Sequence, residues 1–246
     1  MMNNVETISK SKLGSDFDFL VQTIEQLVAY DKLDLSNVSA ANDKVNLSLR
    51  TVPKLRDFYQ DLCHGIAKLF QADCAQTWGT IRITLPGQKS VPFHIDKWSG
   101  HPTDLINVWV PLTKLKKTNT LYIVSRDRTA ELIDDLSKNQ IDLSELEEKA
   151  LIAAEPFLMS DQVLIFSNEF LHGSVLNEEK LRISLDFRLC RSSAFDGRKI
   201  IGQDYQFVES VLHEEISENK HTELAGRQVR TLLFQHNDFR HVAHHA

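Results

Sequence analysis

His94-Ile95-Asp96, within "FHIDKW", places an imidazole and a carboxylate two residues apart in a stretch that otherwise reads as strand. At i and i+2 of an extended chain, both side chains project to the same side. Two readings fit: half of a metal site, or two polar groups sharing one face of a sheet. With ten histidines in the chain, an HxD arises by chance about half the time. His236-Asn237-Asp238 near the C-terminus has the same spacing, so spacing alone does not choose.

Context separates the two. His236 is followed by His241, His244 and His245 in a stretch without strand pattern, which reads as a solvated tail. Downstream of His94 comes "LHGSVLNEEKLRISLDFRL", which supplies His172, Ser174, Asn177, Arg182 and Ser184. A facial triad for non-heme Fe(II) needs two neutral imidazoles and one carboxylate, with positions left open. His94, Asp96 and His172 are of the right types. Arg182 then opens an Arg-x-Ser pattern, a planar, always-charged fork with a hydroxyl two residues on that shares its face. The distal carboxylate of 2-oxoglutarate requires such a pair, and a chelating keto acid would complete the neutralisation of the metal.

In combination these segments resemble the phytanoyl-CoA dioxygenase-like branch of the Fe(II)/2-oxoglutarate oxygenases. The resemblance rests on "PFHID", "NVWVPL", "NTLYIV", "FLHGSVLN" and "RISLDFR" and covers roughly residues 75 to 190. It departs at "NTLYIVSRDR", where many relatives have a Gly-rich turn. The resemblance implies His94, Asp96 and His172 as iron ligands and Arg182 as partner of the distal carboxylate. It implies Ser174 or Ser184 as hydroxyl support, and Trp109, with Asn107 on the same face, as a wall of the cosubstrate pocket. It further implies that 2-oxoglutarate and O2 are consumed. Because Asp96 keeps the carboxylate that related halogenases lack, it implies oxygenation and not halogen transfer.

These side chains need a frame. Residues 15 to 30 read as a helix with Ser15 as N-cap and Phe17, Leu20, Ile24, Leu27 and Val28 on one face. "TVPKLRDFYQDLCHGIAKLF" reads as a second, with Thr51 as N-cap and an apolar stripe of Val52, Leu55, Tyr59, Leu62, Ile66 and Leu69. The polar segment 31 to 48 reads as loop. From residue 75 the period becomes two: "AQTWGTIRITL" as strand, "PGQKS" as turn, "VPFHIDKW" as return strand, then "DLINVWVPL" and "NTLYIVS". Residues 127 to 155 read as a helical insertion, after which "DQVLIF" and "LRISLDFRL" resume the strands. The expected fold is α+β, a double-stranded β-helix (jelly-roll) core at 75–190 behind a helical part at 1–74. One domain spans 1–246, with 199–246 as a tail. Either that tail or the 127–155 insertion would cover the site.

Alternation orients whole strands. With Arg182 inward, Ser184, Asp186 and Arg188 face inward too, while Ile183, Leu185, Phe187 and Leu189 pack beneath the helices. Asn107 and Trp109 share one face, and Ile106, Val108 and Val110 the other. Gln76, Trp78, Thr80 and Arg82 lie opposite Ile81, Ile83 and Leu85. Arg82, Arg188, Trp78 and Gln76 are therefore candidates for substrate contact. The competing reading makes Arg82, Asp186 and Arg188 an internal ion cluster.

Composition limits the function. The 246 residues are 42% hydrophobic and 25% charged, with a net charge of −6 and a pI near 5.9. That balance argues against nucleic acid or an anionic membrane as partner. The N-terminus carries no apolar leader pattern and no run reaches eighteen apolar residues, so a cytoplasmic protein is expected. Cys63, Cys74 and Cys190 read as buried reduced thiols. The expected function is a dioxygenase hydroxylating a polar small metabolite, sugar-like or amino-acid-like, with release of succinate and CO2. The alternatives are a cupin-like metal-dependent isomerase or epimerase, which has no use for Arg182, and a non-catalytic binding module.

Overall fold

The computed structural model describes residues 5–208. Three helices come first: α1 (Phe17–Leu27), α2 (Val38–Thr51) and α3 (Pro53–Phe70). A short strand, β1 (Glu6–Ser9), precedes them. After them run β2 (Cys74–Gln76), β3 (Thr80–Thr84), β4 (Ile106–Pro111) and β5 (Tyr122–Val124). The insertion follows as α4 (Arg126–Ser137) and α5 (Leu143–Ala153). The chain then adds β6 (Ala154–Pro156), β7 (Gln162–Ser167), β8 (His172–Gly173), β9 (Arg182–Cys190) and β10 (Tyr205–Phe207).

Two sheets stack in the manner of a double-stranded β-helix. The larger runs β1-β7-β4-β9-β2-β10 with β3 also on β9, and the smaller runs β6-β5-β8. Ile183, Leu185, Phe187 and Leu189 of β9 pack outward beneath α1 to α3, together with Ile81, Ile83, Val108 and Val110. Trp109, Leu164 and Phe166 from the large sheet meet Leu121 and Ile123 from the small one between the layers. The insertion lies on the far side of the small sheet, where Leu132, Leu146 and Ala150 pack on Tyr122 and Val124. It is a buttress and not a cover for the space between the sheets, which corrects one of the two expectations for a lid. The other, the tail, falls largely outside the described residues, as does His236-Asn237-Asp238.

Several local expectations change, each for a physical reason. The segment expected as loop holds most of α2, whose Val38, Ala41, Val45 and Leu49 are buried at helical spacing. Its polar look comes from Asn42 and Asn46. Both side-chain amides pair with the open edge of β3: Asn42 with the N–H and C=O of Ile83, Asn46 with those of Ile81, at 2.8–3.0 Å. Residues i and i+4 of a helix are about 6 Å apart along its axis, close to the two-residue repeat of a strand. The helix thus stands in for a neighbouring strand and blunts the edge.

With that edge taken, "VPFHIDKW" cannot return along β3. Instead it joins the small sheet beside β8: His94 and His172 exchange backbone hydrogen bonds at 2.9 and 3.0 Å, and Ser174 N donates to Val91 O at 2.9 Å. The strand expected over 75 to 85 is broken at Thr77–Gly79. Both pieces pair with β9, with two extra residues between them. Two is even, so Gln76 and Arg82 keep the same face across the bulge. A Cβ at Gly79 would meet Leu185 Cδ1 and Tyr59 Cε2 at 2.8 Å, so the bulge packs flat on α3 only as glycine.

The caps differ as well. Asp16, not Ser15, accepts from Phe19 N at 2.9 Å. Thr51 ends α2 and α3 starts at Pro53 without a side-chain cap, while Val52 and Leu69 are exposed. The three cysteines are free and buried, as expected. Among the described residues no helix is long and apolar enough to cross a membrane.

Asn42→Ala and Asn46→Ala each strip two partners from β3. Each should lower unfolding free energy by about 1–3 kcal/mol in urea titrations and speed amide exchange at Ile83 or Ile81 respectively. Unchanged exchange at those amides would show that the edge does not depend on α2.

Candidate metal centre

His94, Asp96 and His172 converge, with one donor atom from each lying within 4.8 Å of the others. Asp96 begins a short 3-10 turn, Asp96–Ser99, directly after the extended residue Ile95. Alternation sends Phe93 and Ile95 toward the insertion and its apolar cluster, and His94 and Asp96 toward the space between the sheets. The insertion also holds this segment through Glu147, whose Oε2 accepts from Phe93 N at 2.8 Å. Gly173 explains the HG pair. A Cβ there would sit 2.8 Å from both Cα and N of Phe93, so only glycine lets β8 lie this close to the His94 segment.

The donor set fits a divalent metal. Nδ1 of His94 lies 2.9 Å from Pro92 O, and Nδ1 of His172 lies 2.9 Å from Phe170 O. A carbonyl only accepts, so each Nδ1 carries a proton, and Nε2 is the atom of each ring left to bind a metal. Burial, partly offset by Asp96, lowers the His172 pKa to about 4, which keeps the ring neutral at physiological pH. Phe166 packs its ring on His172 edge-on at 4.8 Å between centroids. Asp96 is buried. Burial pushes its carboxyl up, but Arg188 outweighs this and holds it below the usual carboxylate range. Asp96 Oδ1 accepts from Arg188 Nη2 at 2.7 Å, while Oδ2 has no hydrogen bond and faces His172 Nε2 at 3.7 Å.

Arg182 is 2% exposed in the same pocket. It donates to Thr120 O at 3.1 Å and Thr84 Oγ1 at 3.2 Å, which leaves Nε without a partner. Burial and the nearby Arg82 charge lower its pKa to about 10, so it stays charged. Asp186, the acid that acts on it, is itself taken by Arg82 at 2.6 Å. Ser184, opposite Arg82 in the β3–β9 register, is fully buried with its hydroxyl unpartnered.

The expected residues thus sort themselves. His94, Asp96, His172, Arg182, Trp109, Asn107, Arg82 and Arg188 line one pocket. Ser184 adjoins it. Ser174 does not: its hydroxyl accepts from Ser90 N and Val91 N and donates to Val91 O, stitching β8 to the His94 segment. Gln76 lies behind Arg188, accepting from Nη1 at 3.3 Å. Trp78 sits in the bulge, outside the pocket lining. Sequence reasoning did not single out Thr84, Thr120, Phe166 or Glu147. Thr120 acts through a backbone carbonyl, which no side-chain pattern marks.

No family model matches the sequence, and no curated protein matches it. Solved structures do. AviO1 from Streptomyces viridochromogenes Tue57 superposes with a TM-score of 0.53 at 13% identity, over 78% of this chain and 92% of its own. EctD from S. alaskensis, solved with 2-oxoglutarate and 5-hydroxyectoine, gives 0.51 at 14% identity, over 78% and 74%. EvdO2 from Micromonospora carbonacea var. aurantiaca gives 0.50 at 13% identity, over 77% and 87%. At these identities the likeness is one of fold, and it agrees with the double-stranded β-helix expected from the strand pattern.

His94→Ala and His172→Ala should each abolish tight Fe(II) binding in anaerobic titrations, whereas His236→Ala should leave it nearly unchanged. Equal loss from the His236 change would overturn the assignment. Gly173→Ala should cost about 1–3 kcal/mol of stability and weaken metal binding, because it drives apart the two segments that carry the histidines.

Proposed function

We propose that the protein is an Fe(II)- and 2-oxoglutarate-dependent oxygenase of the phytanoyl-CoA dioxygenase-like kind, hydroxylating a polar small molecule. One observation carries this reading: a buried guanidinium, Arg182, with no carboxylate in direct contact shares a pocket with a two-histidine, one-carboxylate triad. A buried cation of this kind calls for an anionic ligand. A metal-dependent isomerase on the same barrel needs the triad but not the arginine. That EctD shares this fold and was solved with 2-oxoglutarate supports the same choice.

His94 and His172, through Nε2, and Asp96, through Oδ2, would hold the metal. With 2-oxoglutarate and O2 present, iron there would supply the oxidising chemistry that hydroxylates a C–H bond and releases succinate and CO2. Arg182 receives the distal carboxylate with its free Nε–H, and Ser184 adds its hydroxyl, while Thr84 and Thr120 fix the fork in advance. Preset donors of this kind lower the ordering cost of binding. Trp109 and Phe166 wall the pocket and keep water from it. Arg82, its side chain about a third exposed and braced by Asp186, stands at the rim and meets a polar or anionic part of the substrate. A sugar-like or amino-acid-like metabolite fits that rim.

The test is turnover with Fe(II) and 2-oxoglutarate against a panel of polar metabolites under labelled O2. Product should gain one labelled oxygen with stoichiometric succinate, and no chlorinated product should form in high chloride. A reaction without succinate would overturn the reading in favour of the isomerase. Arg182→Ala should raise the 2-oxoglutarate requirement thirtyfold or more, the equivalent of about 2–5 kcal/mol for a buried charged contact, while sparing metal binding. Arg182→Lys should recover only part of the loss, since it keeps the charge and not the fork.

A further inference from the structure

Arg188 was a candidate for substrate contact, yet its guanidinium is turned to other work. Nη2 holds Asp96 Oδ1 at 2.7 Å and Nη1 holds Gln76 Oε1 at 3.3 Å. The two anchors lie on different elements, the 3-10 turn after His94 and β2, and Arg188 spans them from β9. We propose that Arg188, braced by Gln76, is the positioning residue for the Asp96 carboxylate, and that it makes metal binding depend on a dicarboxylate partner. This inference rests on the oxygenase reading and deepens it.

The argument has two parts. The first is geometric. A carboxylate can grip a metal with one oxygen or two, and two would use up a coordination position. The Arg188 contact occupies Oδ1 and leaves Oδ2 as the oxygen that faces His172. Asp96 is thereby restricted to a single ligating oxygen. Gln76 fixes which way the guanidinium turns, and the even-numbered bulge between β2 and β3 keeps Gln76 on the face it needs.

The second part is electrostatic. Arg82 and Asp186 cancel one another as an ion pair. Arg188 likewise cancels Asp96, and Arg182 remains as one unmatched positive charge. A dication entering alone therefore meets two imidazoles, a carboxylate already paired with a cation, and a further arginine in the same pocket. A dianion entering with it supplies two negative charges, one toward the metal and one toward Arg182. Arg188 thus opposes the metal alone more than it opposes the metal with 2-oxoglutarate. An uncountered Asp96 would remove that difference and leave a centre that holds metal without its partner.

Co(II), followed by its visible absorption, provides a readout independent of turnover. In the wild-type protein, saturating 2-oxoglutarate should tighten Co(II) binding by about tenfold or more, within the usual range for coupled sites. In Arg188→Met that factor should fall several-fold, with Co(II) alone bound at least as tightly as in wild type and its bands shifted as Asp96 turns bidentate. An arginine that merely holds the fold predicts the reverse, weaker Co(II) with the coupling factor intact. Should the methionine variant not fold, Gln76→Leu, which keeps the charge and removes the brace, should lower the coupling factor in the same direction by a smaller amount. A coupling factor undiminished by these changes overturns this inference alone. Co(II) binding that ignores 2-oxoglutarate in the wild type overturns this inference and the oxygenase reading together.

Discussion

The Asp96 carboxylate is 2% exposed, and the rest of the structure has to make that tolerable. A buried carboxylate keeps its charge only with a cation or several donors at contact distance. The cation is Arg188, on a nine-residue strand, β9, which has β4 on one side and β2 and β3 on the other. A strand so placed can carry charges on one face only if its other face is a full apolar layer. Ile183, Leu185, Phe187 and Leu189 provide that layer and α1 to α3 cover it. The N-terminal helices therefore contribute no residue to the pocket lining, yet they allow β9 to present Arg182, Ser184, Asp186 and Arg188 to that side.

The other half of the site is held by edges rather than by a central strand. His94 and His172 stand on short pieces whose relative position rests on one two-way backbone bridge, on the Ser174 hydroxyl and on the missing Cβ of Gly173. The insertion reinforces this through Glu147, which reaches past its own helix to Phe93 N and also pairs with Lys89. On the opposite sheet, Asn42 and Asn46 take the edge that the His94 segment would otherwise occupy. The asparagines and the glycine act on the same choice. One closes the wrong sheet to this segment, and the other lets the right sheet accept it.

How much of this was legible follows from the physics of each element. The alternation of "RISLDFRL" gave the orientation of β9 in full, because period two leaves a residue only two options and one anchored arginine decides between them. That His94, Asp96 and His172 share a pocket with Arg182 was expected from residue type in context. The helix α2 was not, although Val38, Ala41, Val45 and Leu49 have helical spacing, because its asparagines do a strand's work and look like loop residues. The destination of "FHIDKW" was not legible for the same reason: a turn after β3 suggests a hairpin unless the edge is known to be filled. Ser174 and Ser184 show the limit at the site. Both are buried serines near the pocket, and only position separates the one stitched to backbone from the one beside Arg182.

Six buried side-chain polar atoms among the described residues have no hydrogen-bond partner within the protein, and five of them belong to Asp96, Asn107, Arg182, Ser184 and Arg188. An unsatisfied buried group costs about 1–3 kcal/mol, and a whole domain is stable by only about 5–15 kcal/mol. Five such atoms gathered at a single pocket mark it as a place that receives polar partners. Their types also specify what would satisfy them. Asn107 Nδ2 and the two arginine Nε atoms donate, so they require oxygen acceptors, and the Ser184 hydroxyl can join either side. Asp96 Oδ2 only accepts and carries charge, so it suits a second cation beside Arg188. The two demands meet in a single space, with the cation's place fixed by the imidazoles and the acceptors' places spread along β9 and β4. A metal alone would leave the donors unmatched, and an anion alone would leave Asp96 facing a like charge. A metal together with an anion would match both sets, and this joint demand, more than the triad by itself, is what the proposed function rests on.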